Sequence, residues 1–327
     1  MAESQTEQTS TVQPSAAVTP SLSALMKLQT SVRGWLNTTW KFIKLKPLGA
    51  VGAFLILIIL AMAAFPGLFD THDPMRIVTT KYLGADGTYF FGTDSVGRDQ
   101  YSRVIHGART TVQISVTGVL IAVTAALLIA TISAYYGGLF DLLLQRVIDT
   151  ILAIPGLVLA LFILTIFPPS KTTLIGTMVV LFIPRSVRTI RASVLSIKEM
   201  PYVDSARAIG ASTPRILLKY IFPQITSLYL ILISLIIGNA IIIESSLAFL
   251  GLGLGIDTPS WGNLVNRGIQ NIFFSTWTLA IPPGIAIAMA VFGFNLFGDA
   301  LRDVLDPRLR GSGAGLKRGG GGATSSG

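Results

Sequence analysis

The sequence predicts an all-α membrane protein with six transmembrane helices. Two observations carry that prediction. Of 327 residues, 51% are hydrophobic and only 13% are charged. A soluble globular chain carries roughly 25% charged residues, so this one has too little charge to cover a water-facing surface. The charges are also separated by long apolar runs. Lys46 to Asp70 encloses 23 uncharged residues, Arg109 to Asp141 encloses 31, Asp149 to Lys171 encloses 21, Lys219 to Glu244 encloses 24 and Arg267 to Asp299 encloses 31. About 20 apolar residues suffice to cross a bilayer as a helix.

The elements follow in order. The first twenty residues are rich in Ser, Thr, Gln, Ala and Pro, with Glu3 and Glu7 and no basic residue. A signal peptide begins positive and then turns apolar, so this stretch reads as a disordered tail. Ser21 to Lys46 reads as an amphipathic helix leading into the membrane, with Trp35 and Trp40 near the interface and Lys41, Lys44 and Lys46 before the first span. Residues 1–46 thus form an N-terminal tail. Spans are expected near 47–69, 110–137, 145–167, 172–195, 225–247 and 278–298. The gap from Lys171 to Arg185 encloses only 13 residues, so the fourth span requires its helix to continue through Arg185, Arg188 and Arg191. Three residues apart, these arginines fall near one helical face. Pro155-Gly156 and Pro282-Pro283-Gly284 would interrupt helices, and such breaks are tolerated where neighbours or water satisfy the freed backbone groups. Residues 311–327 are Gly/Ser-rich and read as a flexible tail.

Basic residues set the orientation. With the N-terminus inside, 18 of the 25 Lys and Arg fall on the inner side and 7 on the outer. The positive-inside rule then puts both termini in the cytoplasm. The net charge of +9 is therefore an orientation signal and does not point to nucleic acid.

Much chemistry is excluded. There are no cysteines, hence no disulfide, thiolate metal site or cysteine nucleophile. No G-x-x-x-x-G-K-[ST] occurs, so the chain carries no P-loop for ATP. His72 and His106 are the only histidines and lack metal-type neighbours, so no metal site and no catalytic residue is expected. Ionisable groups inside spans mark ion-coupled carriers. Glu244, near the outer end of span five, and Asp149, near the start of span three, are the ones to weigh; a role in gating competes with one pinning the loop that follows.

One long polar stretch, SIKEMPYVDSARAIGASTPRILLKYIFPQ, lies on the inner side. Pro201 breaks the preceding helix, Tyr202 to Ile209 is helix-compatible, and Gly210 can end it. Ser212, Thr213 and Pro214 then suit a new helix start. Two short helices meeting at a glycine elbow would suit a protrusion that docks into a groove on a soluble partner.

Here the sequence resembles a family. D-S-A-x3-G-x9-Y-I-F-P is similar to the coupling loop, the "EAA" motif, of bacterial ABC-importer permeases. Asp204, Ser205 and Ala206 stand for its acidic-Ala-Ala triplet, Gly210 for its glycine and Pro223 for its closing proline. Ser205, Tyr220 and Phe222 depart mildly from the pattern. Phe91–Arg109 (FGTDSVGRDQYSRVIHGAR), Glu244–Gly253 (ESSLAFLGLG), Thr258–Asn263 (TPSWGN) and Phe294–Arg308 (FNLFGDALRDVLDPR) resemble further signatures of the dipeptide/oligopeptide/nickel permeases, second ("C") subunit type, in the correct order. The resemblance covers roughly residues 40 to 310.

It implies a type I ABC-importer permease fold, with a coupling loop at 199–223 seated in an ATPase subunit's groove. Asp204 and Arg207 would offer polar contacts there, Ala206 and Gly210 close approach, and Tyr202 and Ile209 apolar anchors, with Ser205, Ala211 and Pro223 in the same docking loop. It also implies its partners: a homologous permease, two cytoplasmic ATPases that hold ATP and Mg, an extracytoplasmic substrate-binding protein, and membrane lipid in a bacterial or archaeal inner membrane. Glu244, Pro155 and Pro282 are candidates for the translocation path. Thr93, Asp94, Arg98, Asp99 and Trp261 are candidates for an outer contact with the binding protein or the partner permease; Trp261 alternatively reads as an interfacial anchor. The expected function is ATP-driven import of peptides, with nickel chelates, glutathione-like peptides or sugars as alternative cargo. Rival readings are an ion-coupled carrier or channel, and a membrane anchor without transport of its own.

Overall fold

The computed structural model describes Lys44 and residues 46–255, 257–270 and 277–305. The chain divides into two units, Met1–Pro47 and Leu48–Gly327. The disordered tail and most of the lead-in helix expected at residues 1–46, and the flexible end at 311–327, lie outside the described residues. Asp306 and Arg308 of the C-terminal signature do too.

Ten helices are named in chain order: α1 Pro47–Ala64, α2 Gln100–Tyr136, α3 Gly138–Leu152, α4 Gly156–Ile166, α5 Lys171–Lys198, α6 Pro201–Ala208, α7 Thr213–Ile216, α8 Phe222–Leu247, α9 Trp261–Gln270 and α10 Ile281–Leu305. Five helical stretches are long and apolar enough to cross a membrane: Pro47–Ala64, Gln100–Tyr136, Lys171–Lys198, Thr213–Leu252 and Ile281–Leu305. The α3–α4 pair becomes a sixth if its two parts, bent by 85°, form one span. The fold is therefore an all-α membrane bundle. The described residues include isolated bridges, Ile77 with Arg98 and Thr93 with Asp99, but no named strand.

α2 is the central helix. It packs along α5 and α8, and α8 in turn carries α10. Its buried face is lined by Ala108, Ala122, Ala126, Ala130 and Ala134. Small residues let helices approach closely where lipid removes the hydrophobic drive to associate. On α2 the tightest case is Gly118, because a Cβ there would lie 2.6 Å from the Met178 Cβ on α5. At α1, a Cβ on Gly52 would lie 2.7 Å from the Phe297 backbone nitrogen of α10. The outward faces keep large apolar side chains exposed, including Phe54 and Leu57 of α1 and Phe162 of α4. In a bilayer such side chains are solvated by lipid.

Two expectations differ from the structure, and one interruption falls where the sequence puts it. The second helix starts at Gln100, ten residues before the expected 110. The Asp99 carboxylate caps it, accepting from the backbone N–H of Tyr101 and Ser102, and the basic side chains of its first turns do not end it. The interruption expected at Pro155-Gly156 divides the third span into α3 and α4, which make one span if the bent pair crosses together. Pro155 lacks an N–H and disfavours helix at the residue before it, so the chain turns between α3 and α4. The proline pair at the sixth span interrupts nothing. Pro282 and Pro283 occupy the first turn of α10, where a missing N–H costs no hydrogen bond. The fourth helix does run through Arg185, Arg188 and Arg191 to Lys198, with Pro184 inside it.

Candidate functional site

Two polar assemblies stand out, one on each side of the apolar bundle. The first is the elbow between α5 and α8. Pro201 begins α6, and Gly210 ends it at φ +78°. The Gly210 N–H donates to the Arg207 carbonyl at 2.9 Å and the Ala211 N–H to the Ala206 carbonyl at 3.0 Å. This is a Schellman closure, which needs a left-handed residue at the glycine position. A Cβ on Gly210 would meet nothing within 4 Å, so conformation alone selects glycine there. Ser212 precedes α7 as its cap residue, although its side chain makes no capping bond. Pro223 lies in the first turn of α8, and the wide π-helical turn Leu217–Ile221 ahead of it accommodates its ring.

α6 is two-faced. Val203 and Ala206 are buried, whereas Tyr202 and Ile209 are exposed, Ile209 at 81%. The resemblance implies close approach to a partner at Ala206, which is buried within the chain. Asp204 and Arg207 pair across one turn at 2.9 Å, and Ser205 Oγ donates to the Pro201 carbonyl at 2.9 Å.

The elbow is wired to the long helices by pairings that the sequence does not assign. Lys198 Nζ donates to the Tyr135 carbonyl at 2.6 Å and the Ala134 carbonyl at 3.3 Å, covering the open end of α2. The Arg207 guanidinium lies 5.7 Å from the Tyr135 ring centroid, within cation–π range. Asp141 of α3 accepts from Arg191 Nε at 2.8 Å and Nη2 at 2.5 Å, and from Ser133 Oγ at 2.5 Å. Asp149 pairs with Arg188. The only hint of this ladder in the sequence was the three-residue spacing of the arginines; no local pattern assigned them partners about 40 to 50 residues away.

The second assembly is a plug between α1 and α2, joined by the segment after α8. Asp94 accepts from the Val96 and Arg98 backbone N–H groups and from Arg98 Nε, at 2.8, 2.9 and 2.9 Å. Arg98 Nη1 reaches Asp257 at 3.3 Å. Asp99 Oδ2 accepts from Ser102 Oγ at 2.6 Å and Thr71 Oγ1 at 2.9 Å. Thr93 Oγ1 donates to the Thr80 carbonyl at 2.7 Å. Gly92 and Gly97 adopt positive φ, and a Cβ on either would lie 2.2 Å from a carbonyl oxygen. Trp261 is fully buried, with Nε1 donating to the Val104 carbonyl at 2.9 Å. Thr93, Asp94, Arg98, Asp99 and Trp261 therefore face the chain's own interior. Their hydrogen bonds among the described residues run within the plug, and Arg98 Nη2 is left with no partner there. Trp261 is likewise not an interfacial anchor.

Glu244 is also buried, facing the hydroxyls of Thr111, Ser245 and Ser260 beneath α9. Pro155 borders a cavity at the α3–α4 bend, whereas Pro282 lies at the start of α10. His106 Nε2 meets Asp70 at 2.8 Å, and His72 stacks near Tyr89. Among the described residues no cluster of His, Cys, Asp or Glu is arranged to hold a metal ion.

Burial alone would push the Asp94 carboxyl up. The backbone N–H groups of Arg98 and Val96 and the cations Arg103 and Arg98 outweigh it and hold it below the usual carboxylate range. Arg267 on α9 is shifted down from its ordinary value by burial and by the neighbouring Arg98. A lowered carboxylate stabilises the plug fully above the unfolded value of about 4 and loses that contribution as pH falls through the folded one. Acidifying from about pH 5 to about pH 2 should therefore expose the Phe90–Phe91 region to limited pepsin cleavage. Asp94→Asn should be cleaved there already at the upper end of that range. Equal resistance of both proteins across the range would refute this account.

An apolar helical bundle with an exposed charged elbow on one side and a closed polar plug on the other defines a multi-pass membrane protein. A family model described as "Binding-protein-dependent transport system inner membrane component" matches residues 118–311. A putative peptide transport system permease protein of Brucella suis biovar 1 (strain 1330) is 35% identical over 256 residues, 78% of this chain and 86% of its own length. The oligopeptide transport system permease protein OppC of Bacillus subtilis (strain 168) is 33% identical over 280 residues, 84% of this chain and 90% of its own. The glutathione transport system permease protein GsiD of Escherichia coli O6:K15:H31 (strain 536 / UPEC) is 32% identical over 274 residues, 83% and 90%. The chain belongs to the family of binding-protein-dependent transport system inner membrane components, the permease subunits of ABC importers.

Proposed function

We propose that this permease imports peptides, in the di- and oligopeptide range, by alternating access driven by ATP hydrolysed on other subunits. The relatives named above carry peptide or glutathione transport in their names, and this chain covers 86–90% of their lengths. It works with a homologous permease, two ATPases that bind ATP and Mg, and an extracytoplasmic binding protein that delivers cargo. Both termini face the cytoplasm, because that orientation places 18 of the 25 basic residues inside.

The observation that carries the reading is the elbow: an exposed apolar tip, Tyr202 and Ile209, on a short helix whose other face is buried in the bundle. An ATPase groove that accepts this tip transmits closure to the long helices through Lys198, Arg207 and the Asp141–Arg191 pair. Asp204 and Ser205 lie on the exposed face as polar contacts, Gly210 and Ala211 hold the elbow shut, and Pro223 sets the start of the returning helix.

Ile209→Glu tests this. The side chain is 81% exposed, so the fold should tolerate the change. A charge buried unpaired in a docking groove costs several kcal/mol, so ATPase co-purification and ATP-driven uptake should fall by about a hundredfold. Wild-type uptake and ATPase binding in the variant would refute docking at this tip.

A further inference from the structure

The ladder between α3 and α5 has a third cation without a partner. Arg191 holds Asp141, and Arg188 holds Asp149. Arg185 follows one turn along the same face. At its level α3 has ended and the chain turns by 85° into α4, so no carboxylate stands opposite it. Among the described residues, the Arg185 side chain makes no hydrogen bond or ion pair. It lies near the middle of α5, about 20 Å from the lysine at either end at 1.5 Å per residue.

Arg185 lines a cavity of about 240 Å³ together with Pro155, Gly156, Leu159, Phe182 and Pro184. It is the only charged residue in that lining. The cavity also meets the start of α4. The first intrahelical bond of α4 runs from Leu159 N–H to the Pro155 carbonyl at 3.0 Å. The N–H groups of Gly156, Leu157 and Val158 therefore have no intrahelical acceptor, and they mark the positive end of an 11-residue helix. A guanidinium and a helix N-terminus thus converge on an otherwise apolar space.

We propose that Arg185 and the start of α4 form a station for the carboxylate of the transported solute. The Arg185 side chain is exposed and free to receive a carboxylate, which it would hold with a two-pronged, charge-assisted pair. The cavity has room for one end of a solute rather than a whole peptide. The C-terminal carboxylate is the anionic end that every peptide shares, whatever its side chains. This assignment rests on the peptide-import reading and deepens it.

The test uses the complete importer, reconstituted in vesicles with its ATPases and binding protein, and trialanine as cargo. Arg185→Gln should lower uptake per ATP hydrolysed by about tenfold, the equivalent of one charge-assisted hydrogen bond, and Arg185→Lys should recover most of it. Assembly with the ATPases should be unchanged. Unaltered uptake in Arg185→Gln, or equal loss in the Lys variant, would overturn the proposal. So would a defect seen only in vesicles containing anionic lipid, since that outcome assigns the cation to a headgroup phosphate.

A second arm needs no cargo. The chain has no cysteine, so Ile154→Cys places a single thiol in this subunit at the cavity wall. A sulfonate-bearing thiosulfonate should modify it faster than a trimethylammonium-bearing one, and Arg185→Gln should erase the difference. Equal rates with Arg185 present would remove the anion site. A wild-type importer that moves no peptide would instead sink the import reading, and the cysteine arm would still judge the site.

Discussion

Trp261→Ala should cost about 3–5 kcal/mol of stability, the range for truncating a fully buried tryptophan. The indole is 0% exposed and packs against the first turns of α2. Its Nε1 donates to the Val104 carbonyl at 2.9 Å, and its backbone N–H donates to Thr111 Oγ1 at 3.2 Å. α2 makes room for it with Gly107, where a Cβ would lie 2.9 Å from the indole Cδ1. The next residue, Gly262, sits so close to α8 that a Cβ would lie 2.3 Å from the Ser245 carbonyl oxygen. The surroundings are held on both sides and cannot collapse to refill the cavity. Trp261→Phe keeps most of the volume and loses one hydrogen bond, so its cost should be nearer 1 kcal/mol. Thermal unfolding of the detergent-purified complex measures both. An unshifted midpoint in Trp261→Ala would show that the plug is not anchored here.

Asp141→Ala should be the most damaging single change on the elbow side. The carboxylate is 7% exposed and accepts three side-chain donors, two from Arg191 and one from Ser133. Removing it strands the Arg191 cation, a loss of about 3–5 kcal/mol for a fully buried pair. The Arg191 side chain keeps 29% exposure, so the expected cost is nearer 2 kcal/mol. Removing both partners takes away the stranded charge. The double variant Asp141→Ala with Arg191→Ala should therefore lose less than the two single variants combined, by about 1 kcal/mol or more. The link from elbow to bundle is cut in all three, so ATP hydrolysis should continue while uptake per ATP drops. Strict additivity, or full coupling in the double variant, would show that the pair carries no force.

The membrane-spanning character was legible from the sequence because it depends on composition and run length, which are local. The elbow was legible for a similar reason. Pro201, Gly210 and Pro214 act on their own backbone, and the Gly210 closure appears where the residue types put it. The plug was not. Thr93, Asp94, Arg98 and Asp99 look like a solvated turn when read in order, and nothing local reveals that Asp99 accepts from Thr71 or that Arg98 reaches Asp257. Glu244 was placed near the outer end of its span, whereas its burial depends on Thr111 and Ser260 arriving from elsewhere. His106 and Arg103 lay outside the expected second span because a charge-free gap marks where apolar content begins. A capped helix starts wherever its first N–H groups find acceptors, and here Asp99 supplies them.

By itself, the sequence determined that the chain lives in a membrane, how many apolar segments it offers, that it carries no P-loop, and where the elbow bends. Each of these follows from hydrophobic run length or from the backbone preferences of glycine and proline, which need no distant partner. Only the tertiary structure decided which distant charges are joined: Arg191 with Asp141, Arg188 with Asp149 and Arg98 with Asp257, while Arg185 has no carboxylate partner among the described residues. Pairing across 39 to 159 positions is set by how the helices pack. In a low-dielectric interior, that packing determines which ions are neutralised by the chain and which are left for a solute.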